Sequence, residues 1–193
     1  VVGTVISSAM VAYSMSKVRW NGKKYLFPII VATMMIPYQV TLIPLYMIWN
    51  KLGLIGSIAP LVVPAFFGGA YYIFLLRQFF KSIPDSLLES ARLDGAGEFH
   101  ILWSIVMPQV KPAWLTLLIL QIQQLWGLSS TYLISEEKKT LAMAMGQVTA
   151  GGTVARMGAA GAGALIMLVV PIVAFMLSQS QVLETMNSSG IKE

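Results

Sequence analysis

The sequence has no cysteine, which excludes a disulfide scaffold, a thiolate metal centre and a cysteine nucleophile. Histidine occurs once, at His100, so it has no second ligand of its kind and reads as a surface or packing residue. Charge is scarce as well. Only 11% of the 193 residues are Asp, Glu, Lys or Arg, less than half the share of about a quarter in soluble domains. Against these shortages stand 56% hydrophobic residues and a mean hydropathy of +0.73. The length allows about one domain, and a soluble domain of that size cannot hide so much apolar sequence. Disorder needs the opposite balance, low hydrophobicity with high charge. The chain therefore reads as one all-α, multi-pass bundle of membrane helices over residues 1–193.

A helix needs about 20 mostly apolar residues to cross a hydrocarbon core. Five stretches meet or approach that length: Val1–Ser16, Tyr25–Trp49 (with Pro28, Pro37 and Pro44), Ile58–Leu76, Pro112–Ile134 and Met157–Leu177. The first is short and opens on Val1 inside an apolar run, so the natural N-terminus is expected to be missing. The net charge of +5 matters by its placement. Alternating the loops puts nine lysines and arginines on one face against four on the other. The positive-inside rule makes the nine-residue face cytoplasmic, with the C-terminus on it. Cations so placed set topology and imply no nucleic-acid partner. Trp20, Tyr25, Tyr46, Trp49, Trp114, Trp126 and Tyr132 fall near span ends, as an interfacial aromatic belt in contact with lipid requires; packing between helices is the other reading. Gly158, Gly161 and Gly163 among alanines suit close helix approach, within this subunit or against another.

One loop is long. Residues 77–111 read RQFFKSIPDSLLESARLDGAGEFHILWSIVMPQVK. Ile83-Pro84-Asp85 is a helix-start signal. Leu87, Leu88 and Ala91 share one face, and Gly95 after Asp94 suits the left-handed end of a helix. Phe99, Ile101, Leu102, Ile105 and Val106 then form a second apolar face, stopped by Pro108. Two short amphipathic helices with a glycine corner are predicted, and a compact knob of this kind implies a docking partner.

Glu89-Ser90-Ala91, Gly95 four residues on, and Ile105-Val106-Met107-Pro108 resemble the E-A-A…G…I-x-L-P loop of binding-protein-dependent ABC transporter permeases. Asp94, Ala96, Phe99 and Pro112 match the fuller form in sugar importers. Ser90 and Met107 replace the usual alanine and leucine, keeping small or apolar side chains. The likeness extends through Ile36-Pro37 to Pro44-Leu45-Tyr46 and through Phe74 to Pro84, the flanks of maltose-type importers. One departure is Trp126-Gly127-Leu128, where sugar permeases often carry Trp-Asn-Asp/Glu.

The resemblance implies six spans in the complete chain and a location in the cell's inner or plasma membrane. It also implies a role in carrying a sugar, or another small polar solute, through an ATP-driven importer. Glu89, Ser90, Ala91, Asp94, Gly95, Ala96, Phe99 and Pro108 would couple to a separate cytoplasmic ATPase subunit. A second permease subunit, identical or not, would complete the pore. The loop Ser135–Ala155, on sequence alone a flexible outside loop, would meet an extracytoplasmic solute-binding protein. No G-x-x-x-x-G-K-[ST] run occurs, so hydrolysis would belong to the partner and this chain would be no enzyme. The bland alternative for Glu89 is an i,i+3 pair with Arg92.

No catalytic constellation, metal site or cofactor motif occurs. No acid or base lies mid-span, where ion-coupled carriers place one; this disfavours a secondary carrier, and an intramembrane enzyme ranks last. Tyr38, Gln39, Thr41, Gln121, Gln123 and Gln124 are candidates for the translocation path, with helix–helix hydrogen bonding as the alternative for each.

Overall fold

The computed structural model describes the backbone of residues 1–126, 132, 139–150 and 154–190, and their side chains except at 149–150, 154–156, 177–178 and 181–190. The described residues are helical, with no strand: α1 Val2–Ser16, α2 Lys23–Thr33, α3 Tyr38–Lys51, α4 Ala59–Val62, a 3-10 segment Val63–Phe67, α5 Ala70–Ser82, α6 Asp85–Leu93, α7 Glu98–Gln109, α8 Lys111–Trp126, α9 Leu141–Ala150 and α10 Val154–Gly190.

Among the described residues two stretches are long and apolar enough to cross a membrane, Ala59–Ser82 and Met157–Met176, and two bent helix pairs, α2 with α3 and α7 with α8, pass the same length and composition test when each is taken together. The expected second span is not one rod: α2 and α3 meet at 98°. Of its three prolines, Pro28 and Pro44 sit inside helices and Pro37 makes the corner. Pro37 has no N–H for the Thr33 carbonyl, and it holds Ile36 out of the helical region. The fourth span is α8 as far as Trp126; its expected continuation to Ile134 lies outside the described residues apart from Tyr132.

The third span is interrupted at Gly68, whose φ of +78° is open to glycine at little cost. Its loosened backbone is completed by α1. Ser8 Oγ accepts from the Gly69 N–H at 3.1 Å, and Ser7 Oγ, 2.7 Å from the Gly3 carbonyl of its own helix, also lies 3.2 Å from the Ala65 carbonyl. In a membrane such groups have no water to turn to, which explains why α1 buries Ser7 and Ser8 here.

Several belt candidates hold helices together. Trp126 Nε1 donates to the Met167 carbonyl at 2.8 Å and Trp114 Nε1 to the Met107 carbonyl at 3.1 Å. Trp49 is buried, and Tyr132 stacks on Tyr46. Tyr25 is 68% exposed and keeps a position suited to lipid contact. In the glycine-rich opening of α10, a Cβ at Gly163 would meet the thioether end of Met145 of α9, a flexible side chain that would have to shift. Gly158 and Gly161 have no neighbour within 4 Å of an added Cβ. The stretch read as a flexible outside loop, Ser135–Ala155, contains α9, with Lys139 Nζ bonded to Gln147 Oε1 at 2.9 Å; residues 135–138 and 151–153 lie outside the described set.

Candidate functional site: the knob and its seat

The knob starts where expected. Pro84 is extended, α6 begins at Asp85, and an acid in the first turn suits the helix dipole. The corner is a Schellman turn: the Gly95 N–H bonds to the Arg92 carbonyl and the Ala96 N–H to the Ala91 carbonyl, both at 3.0 Å. Gly95 has φ +84°, the backbone freedom the sequence assigned to it. The second helix departs in one respect. Pro108 does not stop it; α7 continues to Gln109, and the chain turns at Val110 by 84° into α8. A proline in a helix needs space and a missing bond at its own position and does not have to end the helix there, whereas Pro112 cannot return a bond to the Pro108 carbonyl and so loosens the corner. The middle of α7, Ile101–Val106, is wound as a π-helix.

Leu88 and Ala91 of α6 and Ile101, Leu102, Val106 and Met107 of α7 are buried. They belong to one apolar cluster with Ala9, Ala12 and Tyr13 of α1, with Leu76 and Phe80 of α5, and with Ala113 and Leu117 of α8. The knob and the span ends thus share a core. Leu87, assigned to the buried face, is 38% exposed, Phe99 is 69% exposed beside Trp103, and Leu93 is 89% exposed. Glu89, Ser90, Asp94 and Pro108 are exposed and Ala96 is half-buried; Ser90 Oγ donates to the Leu87 carbonyl at 2.9 Å.

The charges do not form the i,i+3 pair, the bland alternative for Glu89. Glu89 meets Arg19 at 3.2 Å, while Arg92 reaches Glu98 at 2.7 Å. Lys17 Nζ donates to Asp85 Oδ1 and to the Ile83 carbonyl, each at 2.6 Å. Tyr13 donates to Glu98 Oε2 at 2.5 Å. Each of the three acids Asp85, Glu89 and Glu98 is therefore gripped from α1 or the loop after it. The Lys17 hydrogen bond, then its charge, holds the Asp85 carboxyl below its ordinary range. The Arg92 hydrogen bond is the first cause holding Glu98 low, and Glu98 in turn raises Arg92. Sequence reading treated Lys17 and Arg19 only as topology charges. The available signal was spacing: Tyr13 and Lys17, four apart at the end of an apolar helix, share a face.

The path candidates separate into two groups. Gln121 is buried and donates from Nε2 to Thr4 Oγ1 at 2.7 Å, and Gln124 Oε1 accepts from the Tyr72 hydroxyl at 3.3 Å. Both amides bridge helices, and Gln123 is half-buried. Tyr38 and Gln39 are exposed at the start of α3, and Thr41 Oγ1 donates to the Tyr38 carbonyl at 2.9 Å. The structure does not bring α3 and α8 candidates into one cluster.

Residues 4–184 match the model of a family described as the inner membrane component of binding-protein-dependent transport systems. The chain is 30% identical to a probable ABC transporter permease protein of Pyrococcus horikoshii over 179 residues, covering 91% of this chain and 64% of that protein. It is 33% identical to the arabinooligosaccharides transport system permease protein AraQ of Bacillus subtilis over 124 residues, or 64% and 44% of the two chains. A crystal structure of a bacterial ABC transporter involved in the import of the acidic polysaccharide alginate matches with a TM-score of 0.75 and 28% identity, covering 94% of this chain and 70% of that one. The chain thus spans at most about two thirds of the curated relatives described. With its membrane-length helices and its knob folded on their ends, the chain belongs to the family of binding-protein-dependent transport system inner membrane components.

Proposed function

We propose that this chain is part of the membrane-spanning permease subunit of an ATP-driven importer, and that residues 83–108 dock in a separate cytoplasmic ATPase subunit. The observation that carries the reading is the core shared by α1, α5, α6, α7 and α8. A knob packed into the same cluster as the spans moves with them, because close-packed cores shift between discrete arrangements and do not stretch. The knob also presents Leu87, Leu93 and Phe99 to solvent, an apolar surface that a partner groove would cover. Glu89, Ser90, Asp94 and Gly95 are exposed, and Ala96 half-buried, near that surface in sequence. Ala91 and Pro108 act from behind it, in the packing of α6 and at the approach to the α7–α8 corner. ATP binding must then favour one arrangement of the spans by several kcal/mol to invert a strongly biased equilibrium.

A second permease subunit completes the path in this proposal, and an extracytoplasmic solute-binding protein delivers the cargo. The knob face and the C-terminus lie in the cytoplasm. Tyr38, Gln39 and Thr41 are the proposed path residues; Gln121 and Gln124 would contribute by setting helix positions beside it. The cargo class is carbohydrate, supported by relatives named for arabinooligosaccharides and by the alginate importer. A relative named for sn-glycerol-3-phosphate, 30% identical over 185 residues, favours a small polar solute as the second reading.

The test is mild-detergent purification of the full-length protein from its native membrane, followed by an ATPase assay. A nucleotide-binding subunit should co-purify and be lost when Glu89 and Gly95 are both replaced. A chain that purifies alone and moves solute without ATP overturns the proposal.

A further inference from the structure

We propose that the cavity between the knob-proximal ends of α1, α2 and α5 binds the phosphate headgroup of an anionic phospholipid. The cavity measures about 300 Å³ and is lined by Lys23, Lys24, Phe27, Pro28, Arg77 and Lys81, together with Met15 and Ser16. Four basic residues of α2 and α5 border it, Lys24 with its Nζ 4.9 Å from the centre of the Tyr25 ring, and the lining contains no carboxylate. Among the described residues the ion pairs engage Lys17, Arg19 and Arg92, and none of these four. Like charges gathered around one small cavity favour an anion among them.

The local geometry prepares the site for a phosphate. The Arg77 guanidinium lies 3.7 Å over the Phe27 ring, and its Nε donates to the Met15 carbonyl at 3.3 Å. These contacts fix its plane and leave terminal N–H groups for an anion. Lys23 Nζ donates to the Val18 carbonyl at 3.2 Å, using one of three ammonium donors. The 11-residue helix α2 begins at Lys23, so the positive end of its dipole lies at the rim.

The apolar surroundings select lipid over a soluble anion. Phe27 and Pro28 form part of the wall, and Leu26 and Ile29 beside them are 41% and 59% exposed, a surface for acyl chains. Basic pockets between membrane helices at the cytoplasmic side meet a leaflet rich in anionic lipid. That choice of leaflet rests on the orientation proposed above; headgroup binding itself does not.

The test is native mass spectrometry of the full-length protein with its co-purifying subunits, in detergent supplemented with phosphatidylglycerol or phosphatidylcholine. Phosphatidylglycerol should be retained in preference, and the K24Q/K81Q variant should hold it roughly thirty-fold more weakly. A K51Q/K111Q control should retain it as the wild type does. Equal retention by wild type and K24Q/K81Q overturns the proposal, and displacement by millimolar inorganic phosphate assigns the site to a soluble anion and overturns it too. If the variant does not fold, the wild type alone decides: phosphatidylglycerol retention must fall with added salt while phosphatidylcholine retention does not. Lipid retention is read without nucleotide turnover, so its failure is distinct from failure of ATPase coupling.

Discussion

Tyr13, near the end of α1, donates its phenolic hydrogen to Oε2 of Glu98 at 2.5 Å, joining the first helix to the knob across 85 positions of sequence. Arg92 grips the same carboxylate through Nε at 2.7 Å and its terminal nitrogen at 3.2 Å. A hydrogen bond to a charged acceptor contributes more than a neutral one, and Glu98 is partly exposed, so a pair coupling of about 1 kcal/mol follows. The cycle of Tyr13→Phe, Glu98→Gln and the double variant should show it by thermal unfolding in detergent. Under the docking proposal, transport per ATP falls in Tyr13→Phe as the knob loosens. Additive single-variant effects would remove this bond from the coupling route.

Lys17 and Arg19 look equivalent in sequence and are not so in the fold. The Lys17 side chain is 6% exposed and that of Arg19 89%. Lys17 serves the carbonyl of Ile83, at the exit of α5, as well as Asp85. Lys17→Met should therefore cost about 1–3 kcal/mol, since a carbonyl loses its donor. Arg19→Ala should cost under about 1 kcal/mol, as exposed pairs do. Unfolding midpoints of the two variants check this, and equal losses would contradict it.

Helix content, the start of the knob and its glycine corner follow from local rules and stand where the residues place them; the end of α7, which runs past Pro108, does not. Pro84, extended before the first turn, and Gly95, at positive φ after the last, bound α6 by backbone preferences that act within a few residues. The 98° corner at Pro37 and the break at Gly68 needed more. Pro28, Pro37 and Pro44 are alike in sequence, yet the first and last lie inside helices and only Pro37 stands at the corner. The break at Gly68 is stabilised by Ser7 and Ser8, some sixty residues away. The grip on Asp85, Glu89 and Glu98 was hidden for the same reason: its donors lie on another helix, and periodicity reports one helix at a time.

Gly95 has open space around it, with nothing within 4 Å of an added Cβ, so its requirement is backbone alone. Valine at φ +84° is a conformational outlier, and Gly95→Val should destabilise the knob by about 1–2 kcal/mol. Gly95→Asn should cost less, because asparagine tolerates the left-handed region. Under the docking proposal, Gly95→Val uncouples ATP hydrolysis from transport while membrane insertion stays intact. Unchanged transport in a correctly inserted Gly95→Val protein would sink that account.

The knob's attachment should also depend on acid. The Asp85 carboxyl is held below its ordinary range by the Lys17 hydrogen bond first and its charge second, and Glu98 is held low by Arg92 first. A carboxyl with a lowered folded pKa stabilises the fold at pH above its unfolded value, about 4. That stabilisation is lost as pH falls through the lowered folded value. Both groups remain ionised from neutral pH down to the carboxylate range, so the knob should be insensitive to pH between about 5 and 8. Comparing unfolding midpoints of the wild type with an Asp85→Asn/Glu98→Gln variant isolates the effect. The wild type should lead at neutral pH, and its lead should shrink below about pH 4 as the carboxylates protonate. A lead that stays constant into that range would mean the carboxylate charges contribute nothing to holding the knob on α1.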